Sequence, residues 1–147
     1  MRLDICAFED SFRDTDIVFF SETHQAPGQS MPHVTGHRWE TAHRTVTRSE
    51  HGSRGSGGVA VLFREELQPL LHIVRRDDQA RYMWVRLRAD TGRLLYIAIC
   101  YFPPSTSVYA ATRGQSPFSI LDDDIWEFSR DGDIILLGDF NARDSLL

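Results

Sequence analysis

Three short segments carry carboxylate, amide or phenol side chains directly after apolar runs of the sequence. They are Phe20-Ser21-Glu22-Thr23-His24, Tyr101-Phe102-Pro103-Pro104-Ser105 and Leu137-Gly138-Asp139-Phe140-Asn141-Ala142. Carboxylates can bind a hard metal ion or move a proton, and amides and phenols can donate hydrogen bonds to an anion. Layered α/β proteins gather such groups just after the carboxyl ends of their strands, where side chains enter a shared cleft. The three segments are therefore candidates for one active site.

The last of these segments has the spacing of a strand. Asp139 and Asn141 are two residues apart, so the strand period of two directs both to one face and Phe140 to the other, into the core. Gly138 allows a ligand or another backbone to come close. Asp and Asn also occur as simple turn formers after a strand, but the flanking glycine and the apolar strand favour a functional interpretation.

Helix and strand signals alternate along the chain, which predicts that a layered α/β domain positions these segments. One helix is expected over residues 3–13, and another begins at Pro117 with Ser116 as its N-cap and ends at Gly132. Strands are predicted at residues 16–20, 58–63, 70–74, 81–88, 94–100 and 133–138, with a short one within residues 37–47. The rest of residues 23–57 and residues 105–114 are predicted loops, and Thr91-Gly92 a hairpin turn.

Three finer predictions concern burial and charge. Residues 81–88 partly alternate between arginine and apolar side chains, which is typical of a half-buried antiparallel strand. Residues 133–138 form a continuous apolar run, which is typical of a strand covered on both faces. The three aspartates at residues 122–124 are expected near the positive end of the second helix, where carboxylates are favoured.

Composition is that of an ordinary globular domain. The 147 residues suffice for one domain, with 41% hydrophobic and 25% charged residues. No apolar run approaches the about 18 residues of a membrane span, and the N-terminus lacks the apolar stretch of a secretory signal. The two cysteines, Cys6 and Cys100, are far apart, which predicts a reduced, intracellular protein that is not secreted and has no membrane partner. The net charge of −5 argues mildly against an extended nucleic-acid surface.

Two other kinds of site are conceivable from the residue types. His33 and His37 have a spacing that could hold zinc, but Pro32 and Gly36 interrupt any helix there and no cysteine pair accompanies them. The glycine-rich residues 52–58 lack the Lys-Ser/Thr of a nucleotide-binding loop, so they are interpreted as a flexible lead-in to a strand.

The order of the motifs resembles the endonuclease/exonuclease/phosphatase superfamily. The resemblance rests on Glu-Thr-His at residues 22–24, Gly-Gly-Val-Ala-Val-Leu-Phe-Arg at 57–64, Tyr-x-Pro-Pro at 101–104 and Gly-Asp-Phe-Asn at 138–141. Within the superfamily, residues 16–141 are most similar to the apurinic-like endonuclease domain of non-LTR retrotransposons. The resemblance implies an α/β fold of two packed β-sheets flanked by helices, a four-layer sandwich.

The resemblance also implies roles for the candidate residues. Glu22 matches the metal-binding glutamate, for which Mg²⁺ is expected and Mn²⁺ is possible. Asp139 matches the aspartate that activates the attacking water or handles a proton. Asn141 and Tyr101 match residues that contact the scissile phosphate as donors toward developing negative charge.

Two parts of the family pattern are not found. The family opens with a strand that bears a metal-site asparagine, and it closes with a Ser/Asp-then-His motif, whereas all histidines of this chain lie at or before His72. Residues 1–147 are therefore expected to be a single partial domain, incomplete at both ends and with little or no nuclease activity as it stands.

Three functions remain open at this point. The first is a Mg²⁺-dependent DNA endonuclease of the retrotransposon type, with DNA as substrate, a possible reverse-transcriptase region in the parent polypeptide and a nuclear location. The second is a phosphatase or phospholipid phosphodiesterase of the same superfamily, because the reacting centre is again a phosphate. The third is a non-catalytic remnant of a mobile element.

Overall fold

The regular elements of the chain are two helices and seven strands in a computed structural model that describes residues 5–25, 28–43, 57–104 and 116–141. In chain order they are α1 (Ile5–Phe12), β1 (Ile17–Ser21), β2 (His37–Ala42), β3 (Val59–Arg64), a 3₁₀ turn (Glu65–Leu67), β4 (Leu71–Arg76), β5 (Tyr82–Arg88), β6 (Leu94–Tyr101), α2 (Pro117–Phe128) and β7 (Gly132–Asp139). Every predicted helix and strand is present within a few residues. The predicted loop at 105–114, residues 44–47 of the predicted strand and residues 52–56 of the lead-in lie outside the described residues.

The strands form two sheets. The first sheet has the order β1-β3-β2 and is antiparallel throughout. The second has the order β4-β5-β6-β7, antiparallel except for the parallel pair β6 and β7. Parallel neighbours need a crossover connection, and α2 lies in that connection.

The main core lies between the two sheets. Alternate residues of each strand face inward, as the strand period requires. Val59, Val61 and Phe63 of β3 lie in one buried cluster with Met83 and Val85 of β5. The opposite residues of the same strands face outward, toward the helices.

Each sheet carries a helix on its outer face. Tyr82, Trp84 and Tyr96 pack with Leu121 and Phe128 of α2. On the first sheet, Phe8 and Phe12 of α1 contact Phe20 of β1, with ring centroids 6.4 and 5.5 Å apart. The order of layers is therefore helix, sheet, sheet, helix, and the predicted fold class is confirmed. Neither described helix is long and apolar enough to span a membrane.

The prediction of a half-buried strand at residues 81–88 is wrong for most of β5. Tyr82, Met83, Trp84 and Val85 are all buried, because this strand lies inside the second sheet with α2 on one face and the first sheet on the other. Only its last residues, with Arg86 and Arg88, reach solvent.

The strand β7 also differs from its prediction. Ile135 and Leu136 are each 40% exposed, although they point to opposite faces. Among the described residues β7 pairs with β6 on one side only, so it is an edge strand and its cover is incomplete.

The end of α2 and its aspartates need correction too. The helix ends at Phe128, and Gly132 instead begins β7. Asp124 lies in the middle of α2 and not at its positive end, is only 3% exposed and accepts a hydrogen bond from Trp84 Nε1 at 2.9 Å. Arg75 forms an ion pair with the same carboxylate, so Asp124 fixes α2 to β4 and β5.

Candidate active site

Glu22 lies immediately after β1, in a segment whose backbone extends the first sheet. The backbone N–H groups of Thr23 and His24 donate to the carbonyls of Gly58 and Gly57 at 3.2 and 2.9 Å. These bonds continue the pairing of β1 with β3 by two residues. The end of the glycine-rich stretch therefore holds the Glu22 segment in place, a role that its interpretation as a flexible lead-in missed.

Tyr101 is the last residue of β6 and belongs to the second sheet. Its phenol donates to Glu22 Oε1 at 2.9 Å, a bond between residues of the two different sheets. Its backbone N–H donates to the Arg81 carbonyl at 2.6 Å, which fixes the start of the side chain. The bond to Glu22 therefore joins the ends of the two sheets at one edge of the molecule.

Asp139 lies beside Tyr101, because β6 and β7 are parallel and the two residues are register partners. The close approach of the strands falls at Gly138 (φ 127°), where a Cβ atom would collide with the Cys100 backbone. The glycine thus admits another backbone, one of the two possibilities that the sequence left open.

Asn141 is held by two hydrogen bonds. Its backbone N–H donates to Asp139 Oδ1 at 2.8 Å, and its side-chain Nδ2 donates to the Phe102 carbonyl at 2.8 Å. The amide has two N–H groups, of which the bond to Phe102 uses one. Phe140, between Asp139 and Asn141 in sequence, packs against Phe102 in the cluster under α2, as predicted. The strand spacing itself does not reach Asn141, because β7 ends at Asp139 and Asn141 has a φ of 43°.

Backbone strain is concentrated at this edge. The described residues include four non-glycine residues with positive φ, and three of them are Glu22 (56°), His24 (50°) and Asn141 (43°). Such conformations cost about 1–3 kcal/mol each and persist where the surrounding structure imposes them, commonly at functional sites. Two of these residues, Glu22 and Asn141, are also among the four candidate site residues from the motifs.

Two buried groups next to Tyr101 complete the local electrostatics. Arg81 forms a buried ion pair with Asp77, and this hydrogen-bonded carboxylate raises the pKa of Arg81 above its ordinary value. Cys100 is fully buried, and burial raises the pKa of its thiol to about 12. Because the thiolate is the reactive form, Cys100 is not a nucleophile of this site.

The described residues contain no group of three or more His, Cys, Asp or Glu side chains placed to hold a metal ion. Glu22 offers one exposed carboxylate, with His24 Nε2 at 3.4 Å from Oε1. One carboxylate suits Mg²⁺, which keeps several waters and completes its shell with substrate phosphate. The donor set therefore fits such an ion, though not a closed protein cage.

The conceivable zinc pair is not brought together as a site. The two ring nitrogens of His37 lie 3.0 and 2.8 Å from the carbonyl oxygens of Thr35 and Thr15. This histidine joins the start of β2 to the turn before β1.

The chain is similar to a known protein family and to a solved structure. The profile of the Endonuclease/Exonuclease/phosphatase family matches residues 2–146. Comparison with curated proteins gave no match. Among solved structures, the human Nocturnin catalytic domain with bound sulfate anion is similar, with a TM-score of 0.60 and 18% identity, over 96% of this chain and 57% of that one. The chain thus spans a little over half the length of that neighbour, and at this identity the similarity shows the fold alone.

Proposed function

The chain belongs to the endonuclease/exonuclease/phosphatase family, and on that premise we propose that its site hydrolyses phosphodiester bonds in a nucleic acid. The observation that carries the proposal is the hydrogen bond from Tyr101 to Glu22, with Asp139 as the neighbour of Tyr101 on the next strand. This arrangement brings a candidate metal ligand, a candidate base and a phenol from two sheets to one edge.

The proposed roles follow from the chemistry of each group. Enzymes of this family generally depend on a divalent metal, and Glu22 would hold Mg²⁺ or Mn²⁺, which supplies charge neutralisation at the phosphate. Asp139 would take the proton from the attacking water. The Asn141 amide, fixed by the Phe102 carbonyl, would donate its other N–H toward a phosphate oxygen as negative charge develops.

Tyr101 acts as a positioning residue in this scheme. Its phenol donates to Oε1 of Glu22 and restricts the rotation of a carboxylate whose side chain is 47% exposed. A restricted carboxylate loses less conformational entropy when it binds a cation.

The finer proposal is a DNA endonuclease of the retrotransposon type. The Tyr-x-Pro-Pro and Gly-Asp-Phe-Asn segments support it, and a reverse-transcriptase region in the parent polypeptide and a nuclear location belong to the same proposal. The alternative is a phosphatase or phospholipid phosphodiesterase. The similar Nocturnin structure contains a bound sulfate, a tetrahedral oxyanion of the shape of phosphate, and this supports the alternative.

The experiment compares hydrolysis of supercoiled plasmid, a phospholipid and an aryl phosphate monoester by the 147-residue chain with Mg²⁺ or Mn²⁺. Because little nuclease activity is expected of the chain as it stands, the expected result is at most slow, metal-dependent nicking of the plasmid. Nicking should fall to background in Glu22→Gln and Asp139→Asn, since losses of single catalytic groups typically reach about 10²–10⁴-fold.

Glu65→Gln is the matched control, because Glu65 is an exposed glutamate of the 3₁₀ turn. It should nick at the rate of the unmodified chain. Faster turnover of the monoester or the phospholipid would favour the alternative, and nicking that survives Glu22→Gln would reject the proposed site.

A further inference from the structure

Glu22 and His24 expose their side chains next to each other in the segment after β1. Thr23, between them, is directed toward the sheet, where its Oγ1 is buried against Gly58. The carboxylate of Glu22 is 47% exposed and the imidazole of His24 is 58% exposed, with Nε2 at 3.4 Å from Oε1. One oxygen ligand and one nitrogen ligand are therefore adjacent, and a metal ion in solvent can reach both.

The backbone fixes this placement. Glu22 and His24 have positive φ angles of 56° and 50°. Residues other than glycine hold such angles only where the surrounding structure imposes them. Here the backbone N–H groups of Thr23 and His24 donate to the carbonyls of Gly58 and Gly57, which ties the segment to the end of the first sheet. The imidazole therefore starts from a fixed point of the sheet and not from a loose loop.

The separation of the two atoms suits a shared cation better than a direct bond. An N–H···O hydrogen bond normally spans about 2.7–3.2 Å, which is shorter than the 3.4 Å found here. Two ligands about 2.1 Å from one ion lie about 3.0 Å apart at a right angle and about 3.4 Å apart at the tetrahedral angle. The phenol of Tyr101 donates to the same carboxylate at 2.9 Å and keeps it oriented beside the imidazole. A direct ion pair between two exposed side chains would add little stability.

The nitrogen ligand determines which ion fits. Mg²⁺ is a hard ion that prefers oxygen ligands and water, whereas divalent transition ions also bind imidazole. A carboxylate alone suits Mg²⁺ and Mn²⁺ alike. The addition of an imidazole at Glu22 therefore favours the transition ion.

We propose that His24 Nε2 is a second ligand of the divalent ion at Glu22, so that the site binds Mn²⁺ in preference to Mg²⁺. The inference rests on the proposed function, because it concerns the ion of the same site. It adds a ligand to that site and gives the site a selectivity that Glu22 alone does not have.

The test uses the 147-residue chain with Mn²⁺ alone and no substrate, so that no hydrolysis is involved. Electron spin echo envelope modulation detects a nitrogen nucleus bound directly to Mn²⁺, and the unmodified chain should show this nitrogen coupling. The coupling should be lost in His24→Asn. Asparagine tolerates positive φ, so this variant removes the imidazole and leaves the backbone conformation in place.

Metal affinities give a second measurement. The Kd for Mn²⁺, from the resonance of the free ion, should rise at least about tenfold in His24→Asn, as the loss of a ligand allows. The Kd for Mg²⁺, from competition with Mn²⁺, should change less than about twofold, because Mg²⁺ gains little from imidazole. His72→Asn is the matched control, since His72 is an exposed histidine of β4 in the other sheet. It should keep the nitrogen coupling and both affinities.

Absence of nitrogen coupling in the unmodified chain, or coupling that persists in His24→Asn, would overturn the inference. An equal loss of Mg²⁺ and Mn²⁺ affinity in His24→Asn would also overturn it. If either result occurs while nicking still depends on Glu22, only the role of His24 is rejected. Nitrogen coupling that depends on His24, in a chain that cleaves none of the substrates, would support the ligand and reject the proposed hydrolysis.

Discussion

The phenol of Tyr101 lies 2.9 Å from Oε1 of Glu22, although the residues belong to different sheets and lie 79 positions apart in sequence. Each side chain is positioned by backbone hydrogen bonds on its own sheet. The residues after Glu22 donate to the carbonyls of Gly57 and Gly58, and the Tyr101 N–H donates to the Arg81 carbonyl. The contact therefore depends on how the two sheets pack, and any substrate held by Glu22 is held by both sheets.

Tyr101→Phe should therefore weaken metal binding more than it lowers stability. The variant loses one hydrogen bond to an exposed carboxylate, so the free energy of unfolding should change by less than about 1 kcal/mol. The affinity for Mn²⁺, measured by electron paramagnetic resonance, should fall because Glu22 rotates freely.

Tyr96→Phe is the matched control, since Tyr96 lies on the same strand under α2. It should leave the Mn²⁺ affinity unchanged. Unchanged affinity in Tyr101→Phe would show that the phenol does not position Glu22.

Asn141→Gly should separate stability from activity. Glycine accepts the positive φ of 43° at this position without strain, and that gain offsets the lost bond to the Phe102 carbonyl. The melting temperature should therefore change little, whereas hydrolysis should fall by about 10²-fold because the amide donor is gone.

Ala80→Gly provides the comparison, because Ala80 has a φ of 53° in the turn between β4 and β5. Its hydrolysis should match that of the unmodified chain. If Asn141→Gly hydrolyses as fast as Ala80→Gly, Asn141 has only a backbone role.

The local features of the fold were predictable from sequence, and the tertiary ones were not. Ser116 caps α2 by accepting from the Phe118 N–H at 3.3 Å, and the apolar period of the helix faces the sheet, both of which follow from neighbouring residues. The burial of Asp124 depends on Trp84 and Arg75, which come from two other strands. No local pattern distinguishes that aspartate from Asp122 and Asp123.

The candidate site likewise combines features that the sequence predicts with features that only the structure shows. The strand ends located Tyr101, Asp139 and the segment of Glu22, because apolar runs followed by polar residues are visible in the chain. The sequence could not reveal that Gly57, Gly58 and the Phe102 carbonyl hold these side chains, since backbone groups have no signature of their own. Glycine at positions 57 and 58 is the available signal, but in the sequence alone it indicates only flexibility.

Removing Asp77 should destabilise the chain strongly. Asp77 and Arg81 are paired with only 7% and 5% of their side chains exposed, so Asp77→Ala leaves a buried cation without its carboxylate. The loss should be about 3–5 kcal/mol in the free energy of unfolding by urea. Replacing both residues, as in Asp77→Ala with Arg81→Met, should recover part of it, because no buried charge remains.

Asp10→Ala is the control for this pair. Asp10 and Arg13 also form an ion pair, but their side chains are 65% and 66% exposed, so the loss should stay below about 1 kcal/mol. Equal losses in the free energy of unfolding for Asp10→Ala and Asp77→Ala would show that burial does not make the Asp77–Arg81 ion pair more important for stability.

Stability should decrease at alkaline pH. Burial raises the pKa of Cys100 from 9.0 to about 12, and burial followed by the nearby Asp124 raises the pKa of Tyr82 above its ordinary value. Above pH 9 the unfolded chain loses these protons and the folded chain keeps them, so deprotonation favours unfolding. Urea unfolding should show a free energy that falls steadily as pH rises from about 9 toward 12.

Cys100→Ala should make this fall less steep, because one of the two groups is removed. Ser11→Ala, at an exposed position of α1, should leave the slope unchanged. A free energy of unfolding that is flat over this interval would show that the two groups are not shielded as the structure indicates.

The strand β7 should make the chain associate with itself. It is an edge strand of the described sheet, and Ile135 and Leu136 each expose 40% of their surface, so backbone donors and apolar side chains are available together. Exposed edges of this kind pair with other chains, and charged residues on an edge strand prevent it. Leu136→Lys should therefore weaken self-association by at least about tenfold in sedimentation equilibrium, as the loss of one buried leucine contact allows.

Trp126→Lys introduces the same charge at a 72% exposed apolar residue of α2, away from the edge, and should leave the association constant unchanged. A monomeric parent chain, or an equal effect of both lysines, would show that β7 is not the contact.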